Sequence, residues 1–345
     1  EINMKYIASI FAAAAVALTG GLAKAGGELF IYNWTEYTPP ELIEKFEKET
    51  GISVSLDTYD SNETLLAKLQ AGATGYDLVV PSQNFVPILV GEGLIQKVAV
   101  HELPNYKHYK ERWKFPAWDP EQEYTAPWQW GTTSFAYHKD LYSGKGESLE
   151  EFFNPSEELR GRLSTFQTPD EVVSLASIYL DMEFCSEDPK EMKKIQDLLM
   201  NQKDYIVAYN SETMSDLIAS GEALMTNHWN GYARLGRLAG APVVYAYPKE
   251  GVVGWFDSLV VPTSAKNVEN ARKFMNFIMD PVNMAMLSEN QGYGDAIKGT
   301  AQYYSDELKS APEVNPPSDV PVRFATTCSP KAQSLIDKVW TKVMQ

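Results

Sequence analysis

Cysteine and histidine are scarce in this 345-residue chain: two cysteines, Cys185 and Cys328, and four histidines, His101, His108, His138 and His228. None stands at metal-ligand spacing, there is no CxxC, and His101-Glu102 lacks the second histidine of a zinc-protease helix. No metal and no cofactor are therefore expected. A phosphate-cradling glycine loop, a GxSxG turn and an adjacent nucleophile–base pair are also missing, which argues against an enzyme. Positive charge is short, with 30 Lys and Arg against 46 Asp and Glu and a net charge of −16. That balance disfavours nucleic acid and anionic membrane surfaces and favours a cationic ligand.

Long apolar runs are absent too. The longest, Ile7 to Leu18, is too short to anchor in a bilayer and follows the positive Met4-Lys5. With the small-x-small site Ala23-Lys24-Ala25 after it, the segment reads as a signal peptide cut near Ala25. No cysteine follows to carry a lipid, so a soluble periplasmic chain starting near Gly26 is expected. It exceeds one ordinary core and implies two domains. In an oxidising compartment Cys185 and Cys328 either pair or stay as buried free thiols. Both alternatives stand.

What the chain does have is tryptophan in polar company: Asn33-Trp34-Thr35-Glu36-Tyr37, Trp229-Asn230-Gly231 and Trp255-Phe256-Asp257-Ser258. An aromatic face attracts an ammonium group, and a neighbouring carboxylate accepts its hydrogen bonds. A core rarely sets an ionised Asp two residues from a Trp without something positive to pair it. The signatures lie far apart, so a shared cleft needs two lobes folded around it. Aromatic platforms also suit sugars, and Glu36 or Glu171 with Asp257 would serve as a glycosidase acid/base pair.

Leu29–Tyr32 reads as a strand, followed by a helix with Thr38 as N-cap, Pro39 at its first position and Gly51 as its stop. Ile52–Leu56 alternates as a strand, Ser61 caps a second helix, and Asp77–Pro81 is a buried strand with a helical turn opening at Ser82. This order predicts a mostly parallel sheet whose ligand lies beyond the strands' carboxyl ends, where Trp34, Tyr37 and Ser82 fall. A second α/β region follows Gly131, with helices at 170–180 and 214–218 and around Met192. Its strands are expected at 205–209, 223–226 and 243–247. A strand at 258–262 and a helix at 271–279 rejoin the first region. Ala311–Pro321, with four prolines, reads as an extended surface connector, and Pro330–Met344 as an amphipathic helix.

With these residues in view, the chain resembles the extracytoplasmic spermidine/putrescine-binding proteins of polyamine ABC importers. The resemblance runs from Leu29 to the last helix through Tyr32–Pro40, Tyr59–Thr64, Tyr76–Ser82, Trp229–Gly231 and Pro248–Ser258. It implies a two-lobed periplasmic binding protein, α/β, each lobe a doubly wound mostly parallel sheet. Two connecting strands near 131–134 and 252–257 would form the hinge, with the ligand cleft between the lobes. The expected lobes are 26–131 plus 257–304, and 132–256 plus 305–345. By resemblance Trp34, Tyr37, Trp229, Trp255 and Tyr293 form an aromatic box, Thr35 and Ser82 give polar contacts, and Glu36, Glu171 and Asp257 supply charge. The implied partners are a linear polyamine and an inner-membrane ABC permease, or alternatively a membrane sensor protein, with the chain itself a monomer.

Three departures bear on the ligand. Thr168 stands where the family often has an Asp, Asn84 where it commonly has a Tyr, and a glutamine contact has no clear counterpart near 324–327. Loss of a carboxylate at one amine subsite points to a different polyamine, or to an amine carrying its own polar group.

Overall fold

The apolar run Leu29-Phe30-Ile31-Tyr32 lies in β1 (Glu28–Trp34), the middle strand of a parallel three-stranded sheet. It is followed by α1 (Pro40–Thr50), β2 (Ser53–Tyr59), α2 (Asn62–Gln70) and β3 (Leu78–Val79), giving the order β2-β1-β3. The computed structural model describes residues 26–345, so the expected signal peptide and its cut near Ala25 lie outside the described residues. Gly51 ends α1 in the left-handed region at φ 71°, and the Ser61 hydroxyl caps α2 by accepting from Thr64 N. Thr38, in contrast, caps nothing: Pro39 is the N-cap, extended at ψ 130° because a proline follows it. The Thr38 hydroxyl instead accepts from Asn33 Nδ2 at 2.8 Å.

The expected helical turn at Ser82 also moves. Ser82 and Gln83 are bound to a later strand, Gln83 N donating to Phe256 O at 2.9 Å, so α3 begins only at Val86 (Val86–Gly91). β4 (Ile95–Gln96) follows, then the long β5 (Ala126–His138).

The second region runs α4 (Glu150–Phe153), β6 (Leu163–Thr165), α5 (Pro169–Tyr179), α6 (Pro189–Gln202), β7 (Ile206–Tyr209), α7 (Met214–Ala219), β8 (Met225–Trp229), α8 (Asn230–Leu238) and β9 (Val243–Tyr245). The chain returns through β10 (Val252–Leu259). The single strand expected at 258–262 is divided, because the ladder of β10 shifts between Phe256 and Ser258. Pro262 then closes β11 (Val261–Pro262), which pairs with β4. After α9 (Val268–Ile278), α10 (Pro281–Gln291) and α11 (Asp306–Ser310), the 311–321 stretch runs along the surface from Asn315 on but turns inward at its start. Pro312–Val314 forms a 3₁₀ turn, and Glu313 is buried there because Arg237 Nε donates to it at 2.6 Å. β12 (Val322–Phe324) and α12 (Pro330–Met344) complete the chain.

A seven-stranded sheet joins β12-β10-β5-β8-β6-β7, with β9 also on β5. Its β6–β7, β6–β8 and β10–β12 pairs are parallel, and the contacts made by β5 are antiparallel. Two large apolar clusters result. One gathers Leu29, Ile31, Phe46, Trp128, Phe274 and Leu287, and the other Phe135, Phe152, Leu175, Met192, Leu199 and Ile336. Strand β5 gives Trp128 to the first and Phe135 to the second; β10 gives Phe256 and Val253 in the same way. These two strands therefore bridge the lobes. Cys185 and Cys328 are joined in a disulfide, Cα–Cα 5.0 Å, between the segment after α5 and the one before α12.

Candidate functional site

Between the lobes lies a cavity of about 280 Å³. All ten residues singled out from the sequence (Trp34, Thr35, Glu36, Tyr37, Ser82, Glu171, Trp229, Trp255, Asp257 and Tyr293) line it. β1 delivers the first four from its carboxyl end. Trp34 is set by Nε1 donating to Val80 O at 2.9 Å and by a tilted contact with Tyr59, ring centroids 5.0 Å apart. Glu36 holds a left-handed backbone at φ 54°, and both it and Thr35 stand exposed at the rim.

The aromatic wall combines edge-to-face and stacked contacts. Tyr293 meets Trp255 at 5.0 Å and Tyr37 at 5.5 Å, and Trp229 stacks on Phe166 at 4.7 Å. Both strands of the bridge hold Trp255, since its Nε1 donates to Thr133 Oγ1 at 3.1 Å.

Two carboxylates sit deep in this wall. Asp257 Oδ1 accepts from the Ser82 hydroxyl at 2.7 Å, and Ser82 is itself tied to Asn62 by two bonds of 3.0 Å. Burial pushes the Asp257 carboxyl up to about 7, against the opposing Ser82 and Tyr37 hydroxyls. Glu171, in the first turn of α5, accepts from Trp229 Nε1 at 3.0 Å and from the Thr133 hydroxyl. Burial raises it to about 8; those two donors oppose the rise and the neighbouring Asp170 adds to it.

Sequence reasoning missed part of the lining. Tyr59, Asp60 and Asn62 also reach the cavity, and a signal was there, because Tyr59 ends β2 as Trp34 ends β1, and Asp60 and Asn62 come directly after it. Asp170 lines it as well, where Asn84 Nδ2 donates to its Oδ2 at 3.1 Å. Toward the mouth stand Glu212 and Asp216, both exposed, and Ala325 forms part of the wall in the loosely matched 324–327 stretch. Gln83 Nε2 donates to Ala325 O at 3.1 Å. Seven carboxyl side chains thus line the cavity, and among the described residues no Lys, Arg or His does. Nor does any group of described residues form a metal-binding cluster.

The family model for bacterial extracellular solute-binding proteins matches residues 41–316. The spermidine/putrescine-binding periplasmic protein of Escherichia coli (strain K12) is 37% identical over 293 residues, 84% of either chain. The Tp0655 (TpPotD) lipoprotein of Treponema pallidum superposes with TM-score 0.81 at 27% identity, over 92% of this chain and 99% of that one. In Streptococcus pneumoniae the substrate-binding protein PotD of the spermidine/putrescine ABC transporter shares the fold, with TM-score 0.79 at 24% identity, over 92% and 98%.

Proposed function

The chain belongs to the bacterial extracellular solute-binding proteins, and from that premise we propose that its cavity binds a linear polyamine reversibly and hands it to an ABC importer. It is a binding protein rather than an enzyme, like the relatives it matches. The observation that carries the reading is the lining itself: aromatic faces and seven carboxyl groups, with no basic side chain among the described residues. Such a cavity is unfavourable empty, because buried carboxyls must either protonate or find a cation. A polyamine supplies ammonium groups for Asp257 and Glu171 and methylenes for Trp34, Tyr37, Trp229, Trp255 and Tyr293. Cation–π contacts of roughly 0.5–2 kcal/mol and charge-assisted hydrogen bonds of about 1.5–3 kcal/mol each reach micromolar affinity after ordering costs.

In this reading the lobes are 26–131 plus 257–304 and 132–256 plus 305–345, and they close by a hinge at β5 and β10. The chain acts as a periplasmic monomer whose leader is cut near Ala25. An importer permease is favoured over a membrane sensor as its partner, since the pneumococcal protein of this fold is named for a transporter.

Calorimetry against putrescine, spermidine, norspermidine, agmatine and γ-aminobutyrate tests the ligand class. Heat with an amine is expected; heat only with an oligosaccharide would overturn it. Small-angle scattering tests closure, with a more compact profile expected at saturating ligand.

A further inference from the structure

Asp170 has no part in the reading drawn from the sequence, yet it lines the cavity beside Glu171. We infer that Asp170 is a ligand-contacting, specificity-determining residue: with Glu171 it receives a terminal primary ammonium at the α5 end of the cleft. This rests on the amine-binding reading above and says which end of the ligand is recognised, and how.

The placement comes from two elements. Pro169 starts α5, so Asp170 and Glu171 fall in its first turn, where the helix dipole favours negative charge. Their side chains then enter one cavity from adjacent positions. Glu171 is already fixed, with Trp229 and Thr133 donating to it. Asp170 is fixed from the opposite wall: Asn84 Nδ2 donates to Oδ2, leaving Oδ1 without a hydrogen-bond partner among the described residues. Asn84 is in turn held by Thr327, whose hydroxyl donates to Asn84 O at 2.7 Å. Two of the three places where the chain departs from its resemblance are thereby connected. Asn84 orients a carboxylate, and that carboxylate lies two residues beyond Thr168.

Charge supports the same assignment. Glu63 on α2 is pushed up to about 7, by burial first and by Asp170 next, with Asp337 and Asp60 adding to it. Asp170 also raises Glu171, more than the distant Asp257 does. No Lys, Arg or His among the described lining residues relieves this crowding. A primary ammonium does, because its three N–H donors can be shared between Asp170 Oδ1 and Glu171. A carboxylate or an acylated nitrogen at that end of the ligand cannot. The cleft should therefore take putrescine over γ-aminobutyrate and over N-acetylputrescine.

A purely structural role would be an interlobe latch, Asn84 to Asp170, and it makes a different forecast. A lost latch weakens every ligand alike; a lost ammonium contact weakens only ligands with an amine at that end.

The experiment is calorimetry of wild type, Asp170→Asn, Asn84→Ala and Asp257→Asn with putrescine and N-acetylputrescine. Asp170→Asn should bind putrescine about 10- to 100-fold more weakly, the range of one charge-assisted hydrogen bond, while N-acetylputrescine, whose single ammonium takes the more deeply buried Asp257, should change less than about 3-fold. Asn84→Ala should show the same pattern at smaller size, and it decides the matter if Asp170→Asn does not fold. Equal losses for both ligands, or unchanged putrescine binding in Asp170→Asn and in Asn84→Ala, would overturn the inference. If wild-type protein binds neither amine, the amine reading itself fails instead. Loss of putrescine binding in Asp257→Asn alone would leave that reading standing and remove Asp170 from it.

Discussion

Gly131 lies directly opposite Trp255 in the antiparallel pair of β5 and β10, and a Cβ at 131 would stand 2.5 Å from the Trp255 ring. Asn230 Oδ1 would lie 2.7 Å from the same atom. Glycine here is a matter of space, since Trp255 occupies the volume a side chain would need. The bridge between the lobes and the aromatic wall of the cleft thus share one contact.

Gly131→Ala should therefore displace Trp255. We expect about a tenfold or larger loss of affinity and about 1–3 kcal/mol of stability from overpacking. Titration followed by tryptophan fluorescence, with thermal unfolding alongside, reads both effects. Wild-type affinity in a folded Gly131→Ala would show that the ligand does not need Trp255 where it stands.

Asp257→Asn keeps the shape of its side chain but removes the counter-charge, so among single substitutions in the predicted set it should cost most affinity. A charge-assisted hydrogen bond of about 1.5–3 kcal/mol corresponds to roughly 10- to 100-fold. Calorimetry on the folded variant checks this, and a change under about twofold would be incompatible with an ammonium at Asp257.

Trp255→Ala should lose binding, whereas Trp113→Ala should lose stability. Trp113 packs on Phe256 at 4.8 Å and on Phe324 at 5.5 Å, outside the cavity lining. Its truncation should destabilise by on the order of 2 kcal/mol, as expected for a half-buried aromatic. Equal affinity losses in the two variants would mean that packing, not ligand contact, makes these aromatics matter.

Affinity should rise with pH and binding should release protons. Without ligand the Asp257 and Glu171 carboxyls are pushed up to about 7 and about 8 by burial. An ammonium favours their ionised forms, so binding at pH ~7 expels protons, and the dependence flattens above pH ~8. Because the folded pKa values are raised, these groups stabilise the empty protein below their unfolded values. That contribution disappears as pH climbs through about 7 and 8. The ligand-induced rise in Tm should accordingly be larger at pH ~8 than at pH ~5. Calorimetry at pH ~7 in buffers of differing ionisation enthalpy detects the proton release directly. Identical heats in all buffers would exclude it.

The Cys185–Cys328 disulfide closes a long loop, 143 residues in sequence separation. Chain entropy assigns such a bridge about 4–5 kcal/mol. Cys185→Ser with Cys328→Ser should lower Tm substantially, and the denatured, unreduced protein should show no titratable thiol. Two thiols per chain would contradict the bridge.

Local structure was readable where local chemistry decides it. The Ser61 cap, the Gly51 stop and the stripe of α12 follow from residues within a few positions of one another. Of the ten residues expected at the site, Trp34, Thr35, Glu36 and Tyr37 were readable as one dense motif at the end of β1, whereas Tyr293, in the loop after α10, came only from the family resemblance. What escaped were long-range effects. Ser82 does not open a helix because Phe256 and Asp257 engage that loop from far along the chain. The 311–321 stretch is a surface connector only from Asn315 on, because Arg237 draws Glu313 inward at its start. Asp170 was hidden for a similar reason, since only the approach of Asn84 from the other wall shows which way it faces.

The edge of the larger sheet is finished from far away, with Val322 of β12 lying against Val252 of β10. In chain order, Trp34, Asp257 and Tyr293 all precede this strand. Without it, β10 presents an unpaired edge, and Ala325 and Cys328, which follow directly, cannot take their places. A copy truncated before residue 322 would carry all ten of the predicted contact residues and still offer its neighbours an open, adhesive strand.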